Sequence, residues 1–247
     1  MVEGLHPRTR RLRWALFLAA IAVVLVGTGG QALEAAGGWL RDEYQRLPWY
    51  VIRVSALLAY LALTASVVYG LLLSTGILDR IAQRTVSFTL HQDLSAIGVS
   101  LALVHAAVLM IDRSVPYAPA EVLLPFSGPY RPIWVGIGQI SLAIGLLVLL
   151  TFYARRRIGT KRWRSLHYLS FVAYLGATVH GLMAGTDTAA PGIVVGYAVL
   201  LAVVAFLLAY RIVLAGAARR ARVATVAPET EPEPATHRLD RPARTQA

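Results

Sequence analysis

Four histidines stand at intervals that could do chemistry: His91 with His105, and His167 with His180, two in each of two apolar stretches of a 247-residue chain. A neutral imidazole offers one lone pair to a metal. One imidazole from each of two facing helices, repeated at two depths, is what bis-histidine ligation of two haems requires. His91 and His105 are 14 residues apart, which on an α-helix means ~21 Å along the axis and a common face to within ~40°. His167 and His180 are 13 apart, or ~19.5 Å. If the two helices run in the same direction, His91 lies level with His167 and His105 with His180. Thirteen residues of ideal helix leave His180 about 140° away from the face of His167. A local irregularity or different approach angles are therefore expected, with Gly176 a candidate for the irregularity as well as for helix packing. A structural zinc would need four ligands at one depth, usually with cysteine, and the chain has no cysteine. That absence also excludes disulfides, thiolate-held iron–sulfur clusters and covalent c-type haem. His6 and His237 fall in polar termini and read as solvated side chains.

The elements that must position these histidines are membrane helices. Hydrophobic residues make up 57% of the chain and the mean hydropathy is +0.59, too apolar for an ordinary soluble domain. Six apolar stretches (14–30, 54–78, 90–111, 133–154, 166–184 and 192–214) are each long enough to span a bilayer, which takes about 20 residues per helix. The expected fold is all-α: a basic N-terminus over 1–13, a six-transmembrane helix bundle over 14–215 and a disordered tail over 216–247. The tail is rich in Ala, Pro, Thr, Glu and Arg and lacks the apolar surface to fold. No length is left for a built-in flavin or nicotinamide module.

A net charge of +11 would suggest nucleic acid in a soluble protein, but in a membrane chain basic residues mark cytoplasmic helix ends. Arg155, Arg156, Arg157, Lys161, Arg162 and Arg164 crowd between the fourth and fifth stretches, and none lies between the fifth and sixth. This alternation places both termini in the cytoplasm and the protein in the inner (plasma) membrane as a multi-pass chain, with lipid and no nucleic acid as its surroundings. The first stretch also has the features of a cleavable signal peptide, which would leave five crossings. Gly136 and Gly138 lack the strand and third glycine of a dinucleotide fingerprint and read as a close-packing pair.

With the histidines placed, the chain resembles the ferric reductase-like transmembrane domain superfamily. That superfamily includes the membrane parts of NADPH oxidases and the haem subunit of periplasmic methionine sulfoxide reductase systems. The carriers are LHQDLSAIGVSLALVH, ending at His105, and WRSLHYLSFVAYLGATVH, ending at His180; PFSGPYRPIWVGIG and HGLMAGTDT are similar to stand-alone bacterial members. The resemblance covers roughly residues 54–214. It implies a b-type cytochrome with two haem b passing electrons across the membrane, His91 and His167 ligating the cytoplasmic-side haem iron and His105 and His180 the outer one. It also implies a separate electron donor, either a flavoprotein or a quinol, and an extracytoplasmic acceptor. LPWY at residues 47–50 lacks the acidic residue of the Pro-Glu-Trp-Tyr motif of quinol-oxidising cytochromes.

Secondary positions carry weaker readings. Arg131, in the constrained PYRP turn on the side where basic residues are scarce, is a candidate for pairing with haem propionates. Arg80, Arg84, Arg162 and Arg164 serve that purpose or simply signal topology. Gly98 leaves room for a macrocycle edge or for helix packing, and Phe171 and Tyr174 read as bundle filler. A reading of another class is a non-redox transporter or scaffold whose histidines relay protons or metal ions.

Overall fold

Long runs of Leu, Val, Ala and Ile leave a backbone in lipid one local way to satisfy its polar groups, which is the α-helix. The computed structural model describes residues 38–80, 82–113 and 115–226, and among these there is no strand. The helices are α1 (Gly38–Thr75), α2 (Arg84–Val108), α3 (Pro119–Leu123), α4 (Pro132–Ile158), α5 (Thr160–His167), α6 (Leu169–Ala184) and α7 (Pro191–Val226). Short 3₁₀ turns occur at Ile77–Arg80 and Asp187–Ala189. Three helical segments are long and apolar enough to cross a membrane: Arg46–Thr75, Pro132–Ile158 and Pro191–Ala221. Their outward faces carry Leu58, Leu61, Leu147, Leu150, Val195 and Phe206 in the open, as lipid contact requires. The chain is thus built as a membrane protein. The two histidine-bearing stretches fall short of that measure. α2 carries the polar run His91, Gln92 and Asp93 about two turns into the helix, and α6 has only 16 residues.

The first expected span, His6 and His237 lie outside the described residues. The last helix continues to Val226, so the tail placed from Gly216 onward is helical over its first eleven residues, where Ala and Arg favour a helix. The chain divides into two compact units, Met1–Arg211 and Ile212–Ala247. The described part of the second is the run 212–226, whose described side chains are mostly exposed. All that follows concerns the first unit.

Within it α1 packs along α2 and α4 along α6, while α2 also meets α4 and α1 meets α6. Gly98 allows the α1–α2 approach, because a Cβ there would lie 2.8 Å from the Leu63 side chain. Its role is therefore helix packing. Gly176 lies against Ser141 in the same way. The irregularity expected in the fifth stretch sits instead at Tyr168, between α5 and α6, where Tyr168 N–H bonds Ser165 O at 3.3 Å and Phe171 N–H bonds Tyr168 O at 3.1 Å. These i→i+3 bonds wind the chain more tightly than an α-helix, adding rotation in the direction needed to bring His180 toward the face of His167.

The core gathers Tyr60, Leu71, Tyr174, Val204 and Leu207. Tyr60 and Tyr174 stack with ring centroids 5.7 Å apart. Their hydroxyls lie 3.2 Å apart, and Tyr60 Oη is also 3.2 Å from Thr178 Oγ1. An interhelical hydrogen bond in a membrane bundle contributes about 0.6 kcal/mol on average and up to about 1.7. Tyr60→Phe, which keeps the ring and removes its hydroxyl, should lower stability by about 1 kcal/mol. Thermal unfolding in detergent would test this, and an unchanged midpoint would show that the hydroxyl cluster carries no stability.

Candidate haem-ligand site

The four histidines meet in two pairs. The rings of His91 and His167 have centroids 6.0 Å apart with planes at 83°, and those of His105 and His180 are 6.2 Å apart at 71°. The depth pairing expected from helix rise is the pairing present. Three of the four imidazoles are anchored through Nδ1 to a helix carbonyl: His91 to Ser66 O at 2.8 Å, His105 to Ile52 O at 2.9 Å and His180 to Trp134 O at 2.9 Å. A carbonyl can only accept, so Nδ1 carries the proton in each and Nε2 keeps the lone pair. A carbonyl bond at Nδ1 fixes the ring's orientation and leaves Nε2 free to ligate.

The anchoring explains two glycines. Gly70 and Gly138 lie four residues after Ser66 and Trp134, on the next turn of the helix that supplies the carbonyl. A Cβ at Gly138 would come within 2.5 Å of His180 Nδ1, and one at Gly70 within 3.1 Å of His91 Cε1. Gly138 therefore makes room for a histidine, whereas Gly136, expected to share a helix-packing role with it, is covered by the Phe126 ring. His167 is held differently: it is the last residue of α5, and Trp163, one turn earlier on the same face, stacks on it at 5.2 Å and 27°. Gly159, with φ +87, provides the turn between α4 and α5 that sets Trp163 there.

Do these residues fit a haem? A metal–imidazole bond of about 2.0 Å on each side, with about 1.1 Å from nitrogen to ring centre, separates two axial imidazole centroids by about 6.2 Å. Both pairs match that separation. A cavity of about 850 Å³ runs past all four histidines, and a second of about 480 Å³ also reaches His91 and His167. Among the described residues no cluster of three or more His, Cys, Asp or Glu could hold a metal ion. A bare ion would find two protein ligands at each pair, whereas a porphyrin iron brings four ring nitrogens and lacks only the two axial ones. The donor set fits haem and does not fit a simple ion.

Arg131 does not join the histidines. It adopts the left-handed conformation, φ 41 and ψ 57, rather than the extended backbone that a residue before proline usually takes. Its Nη1 donates to Met183 O and its guanidinium lies 5.3 Å from the Tyr130 ring, and it lines neither cavity. It straps the loop to the end of α6. The same loop is closed by Tyr117, whose hydroxyl donates to Tyr130 O at 3.1 Å. Burial pushes this phenol above its ordinary pKa, so it stays a donor.

Arg53 lies near His105. It follows Ile52, the residue whose carbonyl anchors His105, and lines the larger cavity. Its Nε donates to Asp187 at 2.8 Å and its guanidinium lies 4.0 Å from the Trp49 ring. The signal for Arg53 in the sequence is an arginine at the edge of the second apolar stretch, with an Asp in the otherwise uncharged loop after the fifth. No family model, curated protein or solved structure matches the chain.

Proposed function

We propose that the protein is a dihaem b-type cytochrome of the ferric reductase-like kind. In this reading six crossings, both termini in the cytoplasm, carry electrons from a separate flavoprotein or quinol to an acceptor at the outer face. The single observation that carries the reading is the pair of facing imidazole couples at 6.0 and 6.2 Å, with Nδ1 committed to a carbonyl in three of the four rings. Haem, when bound, supplies the one-electron chemistry. The chain supplies the axial nitrogens, the fixed ring orientations and an apolar cavity that excludes water. The two histidines of each couple would both be committed to holding the haem, which would supply the electron to the acceptor. His91 and His167 form the cytoplasmic-side site and His105 and His180 the outer one.

The test is colour and stoichiometry. Protein purified in detergent from haem-replete cells should absorb as low-spin b-type cytochrome, respond to dithionite, and yield about two haems per chain by pyridine haemochrome. A colourless, folded preparation would refute the reading and favour a histidine relay in a non-redox membrane protein.

A further inference from the structure

Trp163 leaves a polar group unaccounted for. Its Nε1 is sealed from solvent and has no hydrogen-bond partner, a state that costs about 1–3 kcal/mol and that native structures rarely keep without a reason. The side chain lines both cavities and stacks on His167. The N–H is therefore a donor without an acceptor, beside one ligand pair. A second orphan, Gln139 Oε1, is an acceptor on a side chain whose Nε2 is engaged with the carbonyls of Glu121 and Val122; it calls for no anion.

The charges around Trp163 say what the missing acceptor is. Arg84 lines the smaller cavity and Arg164 and Arg211 the larger. Arg211 reaches Tyr168, the residue next to His167. Arg84 also pairs with Asp79 at 3.1 Å, which leaves Arg164 and Arg211 as the arginines of the larger cavity on this side, whereas near His105 the cavity-lining arginine is Arg53, paired with Asp187. Guanidinium groups lining the same cavities as a buried donor suit an anionic oxygen better than a neutral carbonyl. A haem carries two such anions, its propionates, at one edge of an otherwise apolar ring.

We infer that the indole N–H of Trp163 donates to a propionate of the haem held by His91 and His167, and that this bond helps to set the potential of that site. The inference rests on the haem reading above. Trp163 is a positioning residue: the stacked ring orients His167, and the N–H holds the edge of the cofactor.

Trp163→Phe separates the two roles, since it keeps a ring on His167 and removes the donor. Redox titration of the full chain in quinone-free detergent should show one of the two haems harder to reduce, its oxidised-to-reduced ratio at a fixed poise raised about five-fold, with the other unmoved. The sign follows because a carboxylate that loses its donor concentrates more negative charge near the iron and favours the ferric state. Reconstitution with haem dimethyl ester, whose side chains carry no anion, should abolish the difference between variant and parent. Should the Phe variant fail to retain that haem, benzothienylalanine at position 163, which replaces N–H by sulfur in a ring of nearly the same shape, decides by the same titration.

Unchanged potentials in a coloured variant would overturn the inference and leave the cytochrome reading intact. So would an equal shift with the ester, or a shift that appears only when quinone is added in lipid vesicles, which would identify the acceptor as a quinone carbonyl. A colourless parent protein would end both readings.

Discussion

Alanine at His180 should halve the haem content, from about two to about one per chain, while the fold and the remaining haem spectrum persist. The His105–His180 couple is separated from the other couple by about 14 residues of helix, or ~21 Å, and groups that far apart without shared partners respond independently. Removing His180 leaves His105 as a lone axial nitrogen facing an apolar gap, and a cofactor held by one imidazole in a cavity shaped for two is lost on purification. His105→Ala should give the same result, and the double variant should lose no more than either alone. His167→Ala should empty the other site. The measurement is pyridine haemochrome per chain together with the count of components in a potentiometric titration. Retention of both haems in His180→Ala would reject the ligand assignment, as would loss of both from a protein that still unfolds cooperatively.

Gly138→Ala should produce nearly the same loss without touching a ligand. In the interior of a helix, glycine to alanine normally stabilises by about 1 kcal/mol, so helix propensity and site geometry make opposite forecasts here. The new methyl group would lie 2.5 Å from His180 Nδ1 and 2.6 Å from its Cγ. The ring is pinned on that side by its bond to Trp134 O, so there is no flexible end to yield. Either the bond breaks and the imidazole swings out of line with His105, or α4 and α6 separate. About one haem per chain should disappear. Gly70→Ala is the graded companion: its nearest contact is His91 Cε1 at 3.1 Å, so the ring shifts by a few tenths of an ångström and the haem is kept with an altered spectrum. Gly145→Ala is the control, because the nearest atom is Val99 Cγ2 at 3.8 Å; haem content should not change. A Gly138→Ala protein with two haems and the parental spectrum would show that the His180 ring is not where its carbonyl anchor puts it.

Which histidines would meet was readable before any coordinates, because helix rise is a fixed number. Spacings of 14 and 13 residues already paired His91 with His167 and His105 with His180 by depth, and the facing rings agree. Contacts that depend on a distant partner were not legible: Arg131 donates to Met183 O at the end of α6. Gly176, readable either as the irregularity or as a packing residue, packs against Ser141, and the departure from α-helix occurs at Tyr168, where no glycine or proline announces it.

What composition and period settle is local: that the backbone must be helical, which faces are apolar, and how far apart along an axis two side chains stand. Which carbonyl receives each imidazole was not legible in that way. Ser66, Ile52 and Trp134 contribute backbone oxygens that every residue possesses, and they meet histidines 25, 53 and 46 positions away. Their identity, the clearance at Gly138 and the orphaned indole of Trp163 follow from how helices remote in sequence cross one another. That crossing is a property of whole packed surfaces, so it is absent from any one stretch of the chain.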